Sequence, residues 1–159
     1  MKLGLQPNDY LIDVGCGSGR VAFAFARSDF RDTLRYLGVD IVPEMLAFAA
    51  EKCRHPLWRF ALVTEPRIPE GDGKADMVCF FSVFTHLLQE ESYLYLEEAR
   101  RVLRPGDRIV ASYLDIADPS HWNIFEANLR SARLRQEKPM NIFHSEEFFP
   151  LGPRNWISF

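Results

Sequence analysis

Short apolar runs and helix-spaced apolar positions alternate through the first two thirds of the chain. Tyr10 to Val14 is mostly apolar and ends in a glycine cluster, and the small and apolar residues of Val21 to Arg27 suit a buried helix. This predicts a strand, a tight turn and a helix. Arg35 to Val39 reads as a second strand, closed by Asp40. Pro43 then opens a helix in which Leu46, Ala49, Ala50 and Cys53 fall at i, i+3, i+4 and i+7. Trp58 to Val63 is a candidate third strand. Ala75 to Phe81, bounded by Gly71-Asp72-Gly73, has the continuous apolar character of a fourth strand buried on both faces. Between Gln89 and Leu103 a helix presents Leu96, Ala99 and Leu103 on one stripe. Its acidic Glu90 and Glu91 come early and its basic Arg100, Arg101 and Arg104 late, as the helix dipole prefers. Pro105-Gly106 is the expected stop, and Arg108 to Leu114 the expected fifth strand.

Strands alternating with helices imply an α/β fold: a doubly wound, mostly parallel sheet with helices on both faces and right-handed crossovers. Beyond Leu114 the alternation weakens. His121 to Arg135 has helical character, and Asn141 to His144 and Trp156 to Phe159 are each candidate short strands. The expected organisation is one domain over 1–159, with a regular core at 5–114 and a less regular segment at 115–159.

Composition narrows the functional classes. With 47% hydrophobic and 26% charged residues, the chain is an ordinary globular sequence rather than a disordered or fibrous one. A formal net charge of -3 offers no broad attraction to nucleic acid or an anionic membrane, so neither is an expected partner. The basic stretch Arg130 to Arg135 reads as a solvated helix face. Cys16, Cys53 and Cys79 are odd in number, widely spaced and without a Cys-x-x-Cys pair, which argues against a disulfide framework or a zinc site. No metal is expected. No uncharged apolar run is long enough to span a bilayer, and the expected location is the cytoplasm.

The candidate chemistry starts at Asp13-Val14-Gly15-Cys16-Gly17-Ser18-Gly19. A strand-to-helix turn can bring its backbone close to a nucleotide only where side chains are absent, and Gly15, Gly17 and Gly19 meet that need. The pattern is Gly-x-Gly-x-Gly; Arg20 stands where the dinucleotide fingerprint has its third glycine, which disfavours a pyrophosphate ligand. Asp40 follows 21 residues after Gly19, at the end of the second strand, where a carboxylate can accept bonds from both hydroxyls of a ribose.

Four segments in order, Asp13 to Gly19, Gly38-Val39-Asp40, Ser82-Val83-Phe84-Thr85-His86-Leu87 and Arg101-Val102-Leu103-Arg104-Pro105-Gly106, resemble the class I S-adenosylmethionine-dependent methyltransferase family. The resemblance runs from about Leu5 to Leu114. It implies a Rossmann-like fold, S-adenosylmethionine as cofactor and S-adenosylhomocysteine as product. It also implies that Asp13 helps hold the methionine ammonium end, that Gly15, Cys16, Gly17 and Gly19 pass under the cofactor, that Asp40 binds the ribose and that Ile41 packs on the adenine. Thr64 stands where relatives carry an acidic residue and Glu65 comes one place late. Phe80, Phe81 and Phe84 are candidates for the cofactor edge, with core packing as the competing reading. Relatives carry lid helices before the glycine strand and an antiparallel hairpin after the fifth strand. The expectation here is a fold lacking those helices and part of that hairpin.

Methyl transfer from a sulfonium asks the protein chiefly to position donor and acceptor and to exclude water. A hydroxyl acceptor would profit from a general base, and His86, near the end of the fourth strand, is the candidate by type and place. The competing reading is a histidine that caps or packs against its own helix. His121 and His144 are weaker candidates. Cys79-Phe80-Phe81-Ser82 lacks the Asp/Asn-Pro-Pro-aromatic motif that resembling families use on amino groups. The expected activity is therefore methylation of a small-molecule acceptor. The alternatives are an incomplete or non-catalytic cofactor-binding module that needs a partner and, third, an NAD-dependent oxidoreductase.

Overall fold

The computed structural model describes residues 4–134, 141–145 and 149, together with the backbone of 157–158. Strand β1 (Tyr10–Val14) is buried along its whole length, as a strand covered on both faces must be. It leads through the glycine turn into α1 (Arg20–Phe25). There follow β2 (Arg35–Asp40), α2 (Pro43–Lys52), β3 (Trp58–Leu62), β4 (Ala75–Phe80), α3 (Gln89–Val102) and β5 (Leu103–Ala111). Two short strands, β6 (Leu114–Asp115) and β7 (Phe143–His144), pair in parallel and flank α4 (Trp122–Arg133). A last strand, β8 (Ile157–Ser158), completes the main sheet.

The main sheet runs β3-β2-β1-β4-β5-β8, with every pair parallel. The expected α/β architecture is thus present. The chain starts at the centre with β1, moves outward to β3, then returns to lay β4 on the other side of β1. This reversal creates a crevice between the carboxyl ends of β1 and β4, the usual ligand position in open parallel sheets.

Alternate residues of each strand feed two cores. On one face Tyr10, Ile12, Val14, Leu37, Val39, Val78 and Phe80 pack with Tyr95, Leu96, Ala99 and Val102 of α3. On the other, Leu11, Tyr36, Met77, Cys79 and Val110 pack with Ala22 of α1 and with Cys53 at the end of α2. Both faces are therefore covered. By contrast, α4 has no buried residue, which explains why its amphipathic sequence did not extend the core.

Three boundaries differ from expectation. The long helix ends at Val102, and Leu103 already belongs to β5. Pro105-Gly106 falls inside that strand: Ala75 pairs with Leu103 and Met77 with Arg108, so β5 carries extra residues in a bulge where Gly106 adopts φ 91. A bulge tolerates both proline and glycine, so a pair that reads as a stop is here a kink. The strand ends at Ala111, and Leu114 pairs instead with Phe143. Of the two candidate late strands, Asn141 to His144 contains β7 and Trp156 to Phe159 contains β8. Trp156, Phe159 and most of Phe149 to Arg154 lie outside the described residues. Among the described residues no helix is long and apolar enough to cross a membrane.

Candidate functional site

At the reversal point the backbone bends sharply because it can. Gly15, Gly17 and Gly19 take φ of 69, 54 and 86, all in the left-handed region that side chains resist. Space is limiting at Gly15, where an added Cβ would lie 2.5 Å from Cγ2 of Val83. The turn is then tied to β2: the amides of Gly15 and Cys16 donate to the Val39 carbonyl at 2.8 and 3.0 Å.

Asp40 organises the crevice. Its Oδ2 accepts from the Gly17 amide at 2.7 Å and its Oδ1 from the Val42 amide at 2.9 Å, which joins the glycine turn to the start of α2. Each carboxylate oxygen has a second acceptor site, so two hydroxyl donors could still be received. Beneath the turn, Asp13 is buried at 1% exposure. Its oxygens accept from the Tyr36 hydroxyl at 2.6 Å and the Cys79 thiol at 3.3 Å. Burial pushes its carboxyl up to about 6, against the pull of those two hydrogen bonds. The same burial raises the Cys16, Cys79 and Tyr36 groups, so neither thiol is poised as a nucleophile.

On the opposite wall, the bend after β4 holds Ser82, whose φ of 61 is strained for a residue with a side chain. The Ser82 amide donates to Ser112 Oγ at 2.8 Å and the Ser82 carbonyl accepts from the Thr85 hydroxyl at 3.1 Å, which fixes the bend. A single 3₁₀ turn, Phe84–His86, follows. Nε2 of His144 lies 2.9 Å from the Phe84 carbonyl and anchors this turn from β7.

These elements enclose a cavity of about 300 Å³ with a mostly apolar wall. Of the residues expected at the site, Gly15, Asp40, Ile41 and His86 line it. Gly17 joins it through Asp40, and Gly19 caps α1 behind it. Asp13 and Cys16 are buried beneath the turn, and Cys16 would lie 2.8 Å from a Cβ on Gly38. Thr64 and Glu65 are exposed and Phe81 packs with the core on the α1 side; none of the three is on the cavity wall. Phe80 and Phe84 are core residues, stacked on each other with ring centroids 4.8 Å apart. His144 is buried, and Nδ1 of His121 accepts from the Asp115 amide at 3.0 Å, so both serve local structure.

Sequence reasoning missed Val42, Val63, Ser82, Val83, Leu87 and Tyr95 on the wall. Their positions just after strand ends were the available signal for all but Tyr95, which reaches the cavity from α3. Among the described residues no group of three or more His, Cys, Asp or Glu side chains could hold a metal ion.

A family profile described as a methyltransferase domain matches residues 11–106, more than half of the chain. The chain belongs to the methyltransferase domain family. That span of the methyltransferase domain includes the glycine turn, Asp40, Tyr95 and the 84–86 turn. Solved structures of SAM-dependent methyltransferases share its mostly parallel α/β fold. The chain is similar to a demethylmenaquinone methyltransferase of Tropheryma whipplei, 29% identical over 140 residues, covering 86% of this chain and 53% of the relative. It is also similar to a malonyl-(acyl-carrier protein) O-methyltransferase of Hahella chejuensis, 31% identical over 108 residues, covering 68% and 37%. The chain thus spans about half the length, or less, of these curated relatives. A crystal structure of a SAM-dependent methyltransferase from Methanosarcina mazei shares the fold, with TM-score 0.72, 20% identity and coverage of 91% of this chain and 76% of that one.

The residues present fit S-adenosylmethionine, the donor named for those neighbours. Gly15 leaves a space that a Cβ would fill, and Asp40 retains acceptor sites for a diol. Apolar Ile41 and Val63 offer surfaces for a flat base.

Proposed function

We propose that this chain is a domain that transfers a methyl group from S-adenosylmethionine to a small-molecule acceptor. The observation that carries the reading is the cavity at the β1/β4 reversal, where Gly15 removes side-chain bulk and Asp40 presents the remaining acceptor sites of a carboxylate held rigid by two amides. The names of the relatives, which include demethylmenaquinone and malonyl-(acyl-carrier protein), favour a small or carrier-borne acceptor. The net charge of -3 favours it over a polynucleotide, and the cytoplasm is the proposed location.

When bound, S-adenosylmethionine supplies a methyl group already activated on a sulfonium. The domain then has three tasks. Asp40 receives the ribose hydroxyls, and its two amide bonds keep it from reorienting. Val63, Val83 and Leu87 exclude water from the cavity. His86 lines the cavity at the end of the 3₁₀ turn, which supports its assignment as the proton acceptor for a hydroxyl substrate.

Calorimetric titration with S-adenosylmethionine and, separately, with NAD tests the reading. Binding of the first and not the second is expected, and the reverse pattern refutes it. Replacing Asp40 by alanine is expected to weaken cofactor binding by roughly 1 to 3 kcal/mol, the range for hydrogen bonds to a charged group; unchanged affinity removes Asp40 from the site. Transfer of labelled methyl to a pool of small hydroxyl and carboxyl acceptors is expected with the intact site. Binding without any transfer leaves a cofactor-binding module.

A further inference from the structure

Tyr95 occupies a position where phenylalanine would serve packing equally well. Its ring meets Phe80 edge-on, with centroids 6.3 Å apart, and sits in the same core as Val63, Phe84 and Leu96. The side chain is 7% exposed, and the residue lines the cavity at the β1/β4 reversal. Its hydroxyl makes no hydrogen bond with any described residue. The oxygen is not among the buried polar atoms left unsatisfied, so it meets open space, and the residue's place on the wall makes that space the cavity. The hydroxyl is therefore spare in the direction of the cavity.

We propose that the Tyr95 hydroxyl is a hydrogen-bond partner for the nucleoside part of the ligand, acting from α3 in the cavity that Asp40 also lines. This rests on the reading of the cavity as a cofactor site and adds to it a positioning residue that neither the glycine turn nor the strand ends supply. Three features of the structure converge on it. First, Thr64 and Glu65, which follow β3 where a base-reading side chain was expected, are exposed and off the cavity wall, so that side of the pocket offers only apolar Val63 and Ile41. With Asp40 assigned to the ribose, a polar side chain for the base comes from the rest of the wall, where Ser82, His86 and Tyr95 stand. Second, Tyr95 is the one residue of α3 that reaches the wall, and among the described wall residues the others come from the strand ends and the segments that follow them. Third, the hydroxyl lies within the electrostatic reach of Asp40 and of Glu91. Burial raises its pKa first and these two carboxylates add to the rise, so it stays protonated and able to donate.

A phenol can donate to a ring nitrogen or sugar oxygen and accept from an amine or hydroxyl, which suits an adenosine that presents all of these.

The test uses the intact chain and two probes, S-adenosylhomocysteine and 5′-methylthioadenosine, which lacks the amino-acid arm. Tyr95→Phe keeps the ring and removes only the hydroxyl. Both probes are expected to bind the variant roughly 3- to 10-fold more weakly than wild type. The melting temperature is expected to stay level, since the hydroxyl has no hydrogen bond to a described residue to lose. Unchanged affinity for both probes overturns the proposal, as does a loss confined to S-adenosylhomocysteine, which would place the hydroxyl at the arm. A fall in melting temperature large enough to account for the weaker binding assigns the hydroxyl a structural role and overturns it too. Failure of the wild-type chain to bind either probe refutes the cofactor site itself.

Discussion

Replacing Asp13 by asparagine isolates the electrostatic cost of building the glycine turn over a carboxylate. Asp13 is at 1% exposure, and burial moves its carboxyl from an ordinary 3.8 up to about 6. Because the folded value lies above the unfolded one, the unfolded chain loses its proton first as pH rises. The stabilising contribution is full below about pH 4 and is lost as pH climbs through about 6. With 1.36 kcal/mol for each tenfold change in proton affinity, the whole effect is roughly 3 kcal/mol, of which about 2 kcal/mol falls between pH 4.5 and 7.5. Asparagine keeps an acceptor for the Tyr36 hydroxyl, now at 2.6 Å from the carboxylate, and carries no charge. The stability of wild type minus that of Asp13→Asn is therefore expected to fall by about 2 kcal/mol from pH 4.5 to 7.5. Urea unfolding of both chains at several pH values measures it. Glu70 and Glu98, whose carboxyls are held low and which favour the folded state at higher pH, are present in both chains and cancel in the difference. A difference that stays within about 0.5 kcal/mol across that range would refute the reasoning: it would mean that the Tyr36 and Cys79 hydrogen bonds offset burial completely and leave Asp13 ionising as an exposed aspartate does.

Two further substitutions separate site from scaffold. Gly15→Ala is expected to lower stability by roughly 1 to 2 kcal/mol from the left-handed backbone alone, and to lose cofactor affinity because the new Cβ meets Val83 at 2.5 Å; unchanged melting and binding would refute it. Arg101→Ala is expected to lower stability by about 2 kcal/mol while leaving cofactor affinity within about twofold. Arg101 donates to Glu98, Asp72 and the carbonyls of Ile68 and Glu70, at the end of the sheet away from the cavity. Thermal denaturation and calorimetry check both halves.

The glycine turn and Asp40 were legible because each depends on local chemistry: φ above zero needs glycine, and a carboxylate at a strand end is visible in the sequence. The buried runs of β1 and β4 were legible for a similar reason, since strands covered on both faces lose their polar alternation. What local pattern could not reveal was pairing. Pro105-Gly106 reads identically as a helix stop or as a strand bulge, and only the register of β5 on β4 distinguishes them. Tyr95 lay one place from the expected stripe of Leu96, Ala99 and Leu103. Its spacing to Ala99 and Val102, i, i+4 and i+7, would have marked it as buried. That the residue reaches the cavity wall is a fact of tertiary structure. The same holds for Asp13, whose partners Tyr36 and Cys79 come from two other strands.

The two ends of the sheet divide labour in a way that the fold itself suggests. At the amino end, polar groups are consumed by one another: Tyr10, Arg59 and Glu70 form one cluster, and Arg101 with Glu98 and Asp72 another. Positive φ there falls on Gly4, Asn8, Gly73 and Gly106, residue types that adopt it cheaply. The carboxyl end shows the opposite economy of contacts. Ser82 holds a backbone strain worth roughly 1 to 2 kcal/mol, and Asp40 and Tyr95 keep hydrogen-bonding capacity that the described protein does not use. Strain and unused capacity persist where a ligand relieves or completes them. On that reasoning, cofactor binding should raise the melting temperature of wild type by more than it raises that of Tyr95→Phe, because part of the stabilisation comes from satisfying groups that the folded chain leaves open.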